Sequence, residues 1–85
     1  KVLLRFADAI FIEENIVYIV ETKISPKADA FGQLLLYREL FPQTPEFSAY
    51  KSLPIKLIML TTRTDTALLD LAAKYGIIVE VYNII

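Results

Sequence analysis

The sequence predicts an α/β domain with one mixed β-sheet, in which an antiparallel hairpin is followed by parallel strands and helices flank the sheet. Three observations carry this prediction. Two apolar segments are joined by the short polar stretch Glu13-Glu14-Asn15, and a strand–helix–strand–helix–strand series follows. The third is size, since 85 residues, of which 55% are hydrophobic, are enough for one small domain over residues 1–85.

The predicted hairpin begins with the apolar segment Val2–Phe6 and its continuation Ala9–Ile12. The second strand is Ile16–Val20, which is built from the isoleucine, valine and tyrosine that suit a pleated, half-buried surface. Between these segments, Glu14 and Asn15 can form a two-residue turn because asparagine tolerates left-handed backbone conformations.

This turn fixes which residues face each other across the hairpin. With Glu14 and Asn15 at the turn, Ile10 pairs with Ile19 and Asp8 pairs with Glu21. Two carboxylates so placed have Cβ atoms roughly 4.5–5.5 Å apart and repel one another. A shift of one residue would break the match, so the predicted site depends on this register.

After the hairpin we expect a strongly apolar helix that begins at Ser25-Pro26, with Asp29 as a rival N-cap, and ends at Pro42. The segment Gln43–Leu53 contains two prolines and is predicted to be a loop. Thr64 or Asp65 can cap a second helix, which Gly76 ends. The last three elements are strand Ile55–Thr62, helix Ala67–Tyr75 and strand Ile77–Ile85.

Composition excludes several kinds of site. The chain has no cysteine and no histidine, so a disulfide framework, a Cys zinc site, a Cys-ligated iron–sulfur cluster and a histidine base are excluded within these residues. The net charge of -1 gives no global basic field, so nucleic acid would need local cations or metal ions. We see no membrane span and no signal-peptide pattern, and we therefore expect a cytoplasmic protein. Because the chain starts at Lys1 without methionine, we also expect an upstream segment.

The end of the second predicted strand carries the chemistry. Glu21 and Lys23 are two residues apart and share one face, whereas Thr22 is expected to point to the other. Asp8 and Glu21 are oxygen ligands of the kind that Mg²⁺ or Mn²⁺ prefers, and Lys23 is the only nearby nitrogen. Simpler interpretations exist for these residues. Glu21 and Lys23 could form an ordinary ion pair, and Asp8 could only break a strand or cap a turn.

The order Asp8, Glu21-x-Lys23, Gln33-x-x-x-Tyr37 resembles the PD-(D/E)XK nuclease superfamily, and its RecB-like branch in particular, over about residues 5–41. The resemblance implies a restriction-endonuclease-like fold and a metal-dependent nuclease that hydrolyses DNA. It also implies that Asp8, Glu21 and the Thr22 backbone carbonyl bind Mg²⁺ or Mn²⁺. Lys23 would be the catalytic amine. Gln33 and Tyr37 would hold in position either this lysine, the nucleophile or the bound strand.

The match has departures and rivals. The superfamily's first core helix is absent, and Ala7 precedes Asp8 where proline is common. Arg5, Lys27 and Arg38 are candidate DNA contacts, although arginines on a surface are usually only solvated. Gln33 and Tyr37 could instead form the polar margin of a core helix. The alternative functions are a noncatalytic nucleic-acid-binding or assembly module with the same fold, and a structural α/β domain. Without the first helix, one face of the sheet would be uncovered, or it would be completed by a second copy of the chain, another partner or the missing N-terminal part.

Overall fold

A computed structural model describes residues 7–25 and 28–82, which form one four-stranded sheet in the order β1-β2-β3-β4. Strands β1 and β2 are antiparallel, whereas β3 is parallel to its two neighbours, β2 and β4. The predicted α/β domain with a mixed sheet is therefore confirmed. The predicted segment Val2–Phe6 and the helix-start residue Pro26 lie outside the described residues. The elements are β1 (Ala9–Glu13), β2 (Ile16–Lys23), α1 (Ala28–Leu40), β3 (Ile55–Thr61), α2 (Thr66–Lys74) and β4 (Ile77–Val81).

The β1–β2 turn is the two-residue turn that the sequence predicts. Glu14 and Asn15 both have positive φ, at 52° and 63°. This left-handed pair matches the right-handed twist of the two strands, as in a type I′ hairpin. In the ladder Ile10 pairs with Ile19 and Ala9 with Val20, so the predicted register is confirmed up to the residue next to Asp8.

Strand β2 is longer than predicted. It continues through Lys23 instead of ending at Val20, because its last residues pair with β3 and Lys23 stands beside Thr61. The backbone of Glu21 and Lys23 is therefore held in the sheet by pairing with β3, and both side chains start from the same face.

One face of the sheet carries the core. Val17 and Ile19 of β2 point to this face together with Leu57 and Met59 of β3, and all four are buried. Both helices pack here, since the same core cluster contains residues of each: Ala30, Phe31, Leu34 and Tyr37 from α1 and Ala72 from α2. Glu21 follows Ile19 on this face, so its carboxylate enters the margin of the core.

The opposite face of the sheet is apolar and partly exposed. Phe11 is 44% exposed and stacks on Tyr18 with ring centroids 4.7 Å apart, and Ile78 is 39% exposed. Within residues 7–25 and 28–82, no helix packs against this face. None of the described helices is long and apolar enough to cross a membrane.

The predicted loop Gln43–Leu53 is the main error in the secondary-structure prediction. Two 3₁₀ segments, Phe41–Gln43 and Pro45–Tyr50, occupy most of it, and each has a proline at its start. Proline there loses no hydrogen bond and its fixed φ suits the first turn, so it starts a helical segment as readily as it ends one. Thr44 joins the two by donating from Oγ1 to the Leu40 carbonyl at 2.8 Å.

The predicted helix ends are partly right. Asp65, and not Thr64, caps α2 by accepting a hydrogen bond from the Leu68 N–H at 2.8 Å. Gly76, with φ of 71°, ends the helix in the left-handed conformation that glycine adopts without strain. Asp29 lies inside the first turn of α1 and is not its N-cap; an acid in that position still interacts favourably with the helix dipole.

Candidate metal and nuclease site

Asp8 lies one residue before β1 and is held by Thr22. Its Oδ2 accepts hydrogen bonds from the Thr22 N–H and from Thr22 Oγ1, both at 2.8 Å. The backbone bond first, and then the hydroxyl bond, lower the pKa of Asp8, because both donors favour the charged carboxylate. Asp8 is therefore a fixed anion, and since both bonds end on Oδ2, Oδ1 is available as a ligand.

The Thr22 side chain also takes part in the site. Asp8 lies just before β1 at the strand edge, and the Thr22 hydroxyl reaches it there, although alternation along β2 places this side chain on the face opposite Glu21. Sequence reasoning assigned Thr22 only a backbone carbonyl and missed its side chain. The available signal was a threonine directly after the site acid, which is too common to be informative by itself.

Glu21 is the buried acid of the site. Its side chain is 7% exposed, and Oε1 has no hydrogen-bond partner. Burial, and then the charge of Asp8, raise the pKa of Glu21, whereas Lys23 acts in the opposite direction. A buried carboxylate oxygen without a donor is costly, so Oε1 would be stabilised by a cation beside it.

Lys23 lies on the same face as Glu21, with Nζ 4.0 Å from Glu21 Oε2. This separation is at the limit of an ion pair, and the lysine side chain is 40% exposed. A pair this long contributes little to stability. The Lys23 amine is therefore only weakly tied to Glu21 and is partly open to solvent.

The two helix residues of the predicted site behave differently. Tyr37 is buried in the core cluster, and burial, followed by the charges of Glu21 and Asp8, raises the pKa of its phenol. The phenol therefore stays neutral and lies near both carboxylates. Gln33, one turn earlier in α1, is exposed, and no side-chain hydrogen bond joins it to another described residue.

The donor set suits a hard cation. Asp8, one residue before β1, and Glu21, in β2, supply two carboxylates, and no described group of three or more His, Cys, Asp or Glu side chains forms a fuller metal site. Mg²⁺ commonly binds proteins through one or two carboxylates and keeps waters and substrate phosphates as its other ligands. The unpartnered Glu21 Oε1 is the observation that favours such an ion here.

The predicted DNA contacts are less well placed. Arg5 and Lys27 lie outside the described residues. Arg38 is half-buried in the last turn of α1, and no contact joins it to Asp8 or Glu21.

Comparison of the chain with models of known protein families, with curated proteins and with solved structures gave no match.

Proposed function

We propose that the chain is a metal-dependent nuclease domain of the PD-(D/E)XK type, with a restriction-endonuclease-like fold of the RecB-like branch, that hydrolyses phosphodiester bonds in DNA. The observation that supports this most is the buried Glu21 carboxylate with an unpartnered oxygen, beside a fixed Asp8 carboxylate and within 4.0 Å of the Lys23 amine. The order of these groups along the chain and the hairpin that joins them support the same assignment.

Asp8 and Glu21 would hold Mg²⁺ or Mn²⁺, with the Thr22 backbone carbonyl as a third ligand. A bound ion of this kind stabilises charge on phosphoryl oxygens and lowers the pKa of water. The protein's own contribution is to hold the two carboxyl groups in place beside each other. Thr22 does this for Asp8 through its two hydrogen bonds, and β3 fixes the backbone of Glu21.

Lys23 would act at the reacting phosphate. Its Nζ carries three N–H donors that can bind a phosphoryl oxygen or orient the attacking water. The buried Tyr37 phenol stays protonated, and it would donate toward the carboxylates or the bound strand. Gln33 would contact the substrate from the exposed side of α1.

The decisive activity test measures DNA cleavage by the full chain with Mg²⁺ and with a chelator. We expect Lys23→Ala to lose about 10²–10³-fold or more in rate, the range found when one donor to the developing charge is removed. Lys74→Ala is the matched control, because it removes the same charge from an exposed position in the last turn of α2. Equal rates for wild type and Lys23→Ala would refute the role of Lys23.

Titration calorimetry with Mn²⁺ separates the nuclease from a noncatalytic module of the same fold. We expect wild type to bind the ion, and Asp8→Asn and Glu21→Gln to lose binding. Asp70→Asn and Glu80→Gln remove exposed carboxylates on α2 and β4, and they should bind as wild type does. Wild-type protein that binds DNA but no Mn²⁺ would instead favour the noncatalytic module.

A further inference from the structure

Arg63 follows β3 at the edge of the sheet where the candidate site lies. In the β2–β3 ladder Lys23 pairs with Thr61, so Arg63 is two residues beyond the partner of the proposed catalytic lysine. The carboxyl ends of parallel strands meet at one edge of a sheet, and ligands of open α/β sheets commonly bind there. Arg63 is exposed at this edge.

Hydrogen bonds tie Arg63 to the segment that follows Lys23. The Arg63 Nε–H donates to Ser25 Oγ at 2.7 Å. The fully buried Thr61 hydroxyl lies 3.3 Å from the Ile24 carbonyl and 3.1 Å from the Arg63 carbonyl. The Thr62 hydroxyl donates to the same Ile24 carbonyl at 2.9 Å. These bonds hold the Arg63 backbone next to the segment that follows Lys23, and the bond to Ser25 orients the guanidinium, although 38 residues separate Arg63 from Ser25 in sequence.

The charge of Arg63 has no partner among residues 7–25 and 28–82, where no carboxylate lies within 4.0 Å of it. The nearest acid in sequence, Asp65, accepts the capping hydrogen bond from Leu68 N. Ser25 occupies only Nε–H, and a guanidinium has four further N–H donors on its terminal nitrogens. An oriented, uncompensated guanidinium with free donors suits a phosphate, which arginine binds through two parallel hydrogen bonds.

We propose that Arg63 binds a backbone phosphate of the DNA strand adjacent to the phosphodiester held at Asp8, Glu21 and Lys23. This inference rests on the proposed nuclease function and adds a substrate-positioning residue to it. Arg63 fixes where the strand lies, and Lys23 acts at the reacting group. Ser25 and Thr61 hold the Arg63 segment next to the segment that follows Lys23.

The test compares wild type, Arg63→Ala, Arg63→Lys and Ser25→Ala with Lys74→Ala as the charge-matched control. Binding of a short single-stranded DNA oligonucleotide is measured over a range of salt concentrations with Ca²⁺ in place of Mg²⁺, and cleavage kinetics are measured with Mg²⁺. The binding constant should fall less steeply with salt for Arg63→Ala. In a plot of its logarithm against the logarithm of salt concentration, the slope should be smaller in magnitude by about 0.7, the value for one phosphate contact on a single strand. KM should rise while kcat changes little, because the contact is made equally before and during reaction.

Arg63→Lys should keep the salt slope but bind more weakly, since a lysine ammonium lacks the planar fork with which arginine binds a phosphate through two parallel hydrogen bonds. Ser25→Ala should weaken binding less than Arg63→Ala. If Arg63→Ala matches Lys74→Ala in slope and KM while wild type cleaves DNA, the inference about Arg63 fails and the nuclease proposal stands. If wild type neither binds nor cleaves DNA, both fail.

Discussion

At the scale of single residues, the candidate site combines two acids with opposite surroundings. Thr22 stabilises the charge of Asp8, whereas burial and the neighbouring anion destabilise the charge of Glu21. A metal-free site with this arrangement is a local weak point of the fold, since buried charges need partners. A cation between the two carboxylates would convert the repulsion into chelation.

This arrangement predicts that Glu21→Gln stabilises the metal-free protein at neutral pH. The raised pKa of Glu21 means that the folded state holds the proton more tightly than the unfolded state, so stability is lost as pH rises above the ordinary value of 4.5. The lowered pKa of Asp8 acts oppositely, and its contribution is lost as pH falls below the ordinary 3.8.

Urea unfolding at several pH values measures this effect. We expect Glu21→Gln to exceed wild type by about 1–3 kcal/mol at pH 7, the cost of a buried unsatisfied polar group, and the difference to vanish in acid. Glu80→Gln, at an exposed strand position, should show no such pH dependence. With excess Mn²⁺, wild type should become more stable than Glu21→Gln. A Glu21→Gln protein that is less stable than wild type without metal would contradict the burial argument.

The Thr22 hydroxyl gives a second prediction at this scale. Thr22→Val keeps the backbone donor to Asp8 but removes the Oγ1 donor. We expect the pKa of Asp8 to rise toward its ordinary value, and Mn²⁺ affinity to fall by about 10-fold or more, as when a residue that orients a metal ligand is lost. Thr22→Ser retains the hydroxyl and serves as the control. Calorimetry that gives equal affinities for all three proteins would show that the hydroxyl has no such role.

At the scale of elements, the hairpin determines whether the site exists. Its register could be predicted because a two-residue turn with asparagine leaves one pairing, and the structure has that pairing. The length of β2 could not be predicted, since it depends on pairing with β3, which is more than 30 residues away in sequence. The Thr22 and Arg63 contacts are likewise tertiary, and local pattern carries no signal for them.

The turn itself can be tested through Asn15, whose φ is 63°. Asn15→Gly should change the free energy of unfolding by less than about 1 kcal/mol, because glycine adopts this conformation freely. Asn15→Val should cost about 1–2 kcal/mol, since a β-branched residue is strained there. Urea unfolding of the two variants checks this, and equal stabilities would show that the turn conformation is not the one described.

At the scale of the whole molecule, the sheet separates a helix-covered core from a partly exposed apolar face. The high apolar content of the sequence predicted such a face, and the described residues include the exposed Phe11 and Ile78 on it. A second copy or another partner over this face stays a prediction. Sedimentation velocity tests the first option, which a monomer at high protein concentration would rule out.

The central claim is that Asp8 and Glu21 together bind a divalent ion for nuclease chemistry. The most direct measurement is a crystal structure of the full chain soaked in Mn²⁺, with the ion located by its anomalous scattering. We expect one peak between the Asp8 and Glu21 carboxylates, in contact with the Thr22 carbonyl and with Lys23 directed toward it. An empty site at a Mn²⁺ concentration that supports DNA cleavage, or a peak elsewhere in the molecule, would contradict the claim.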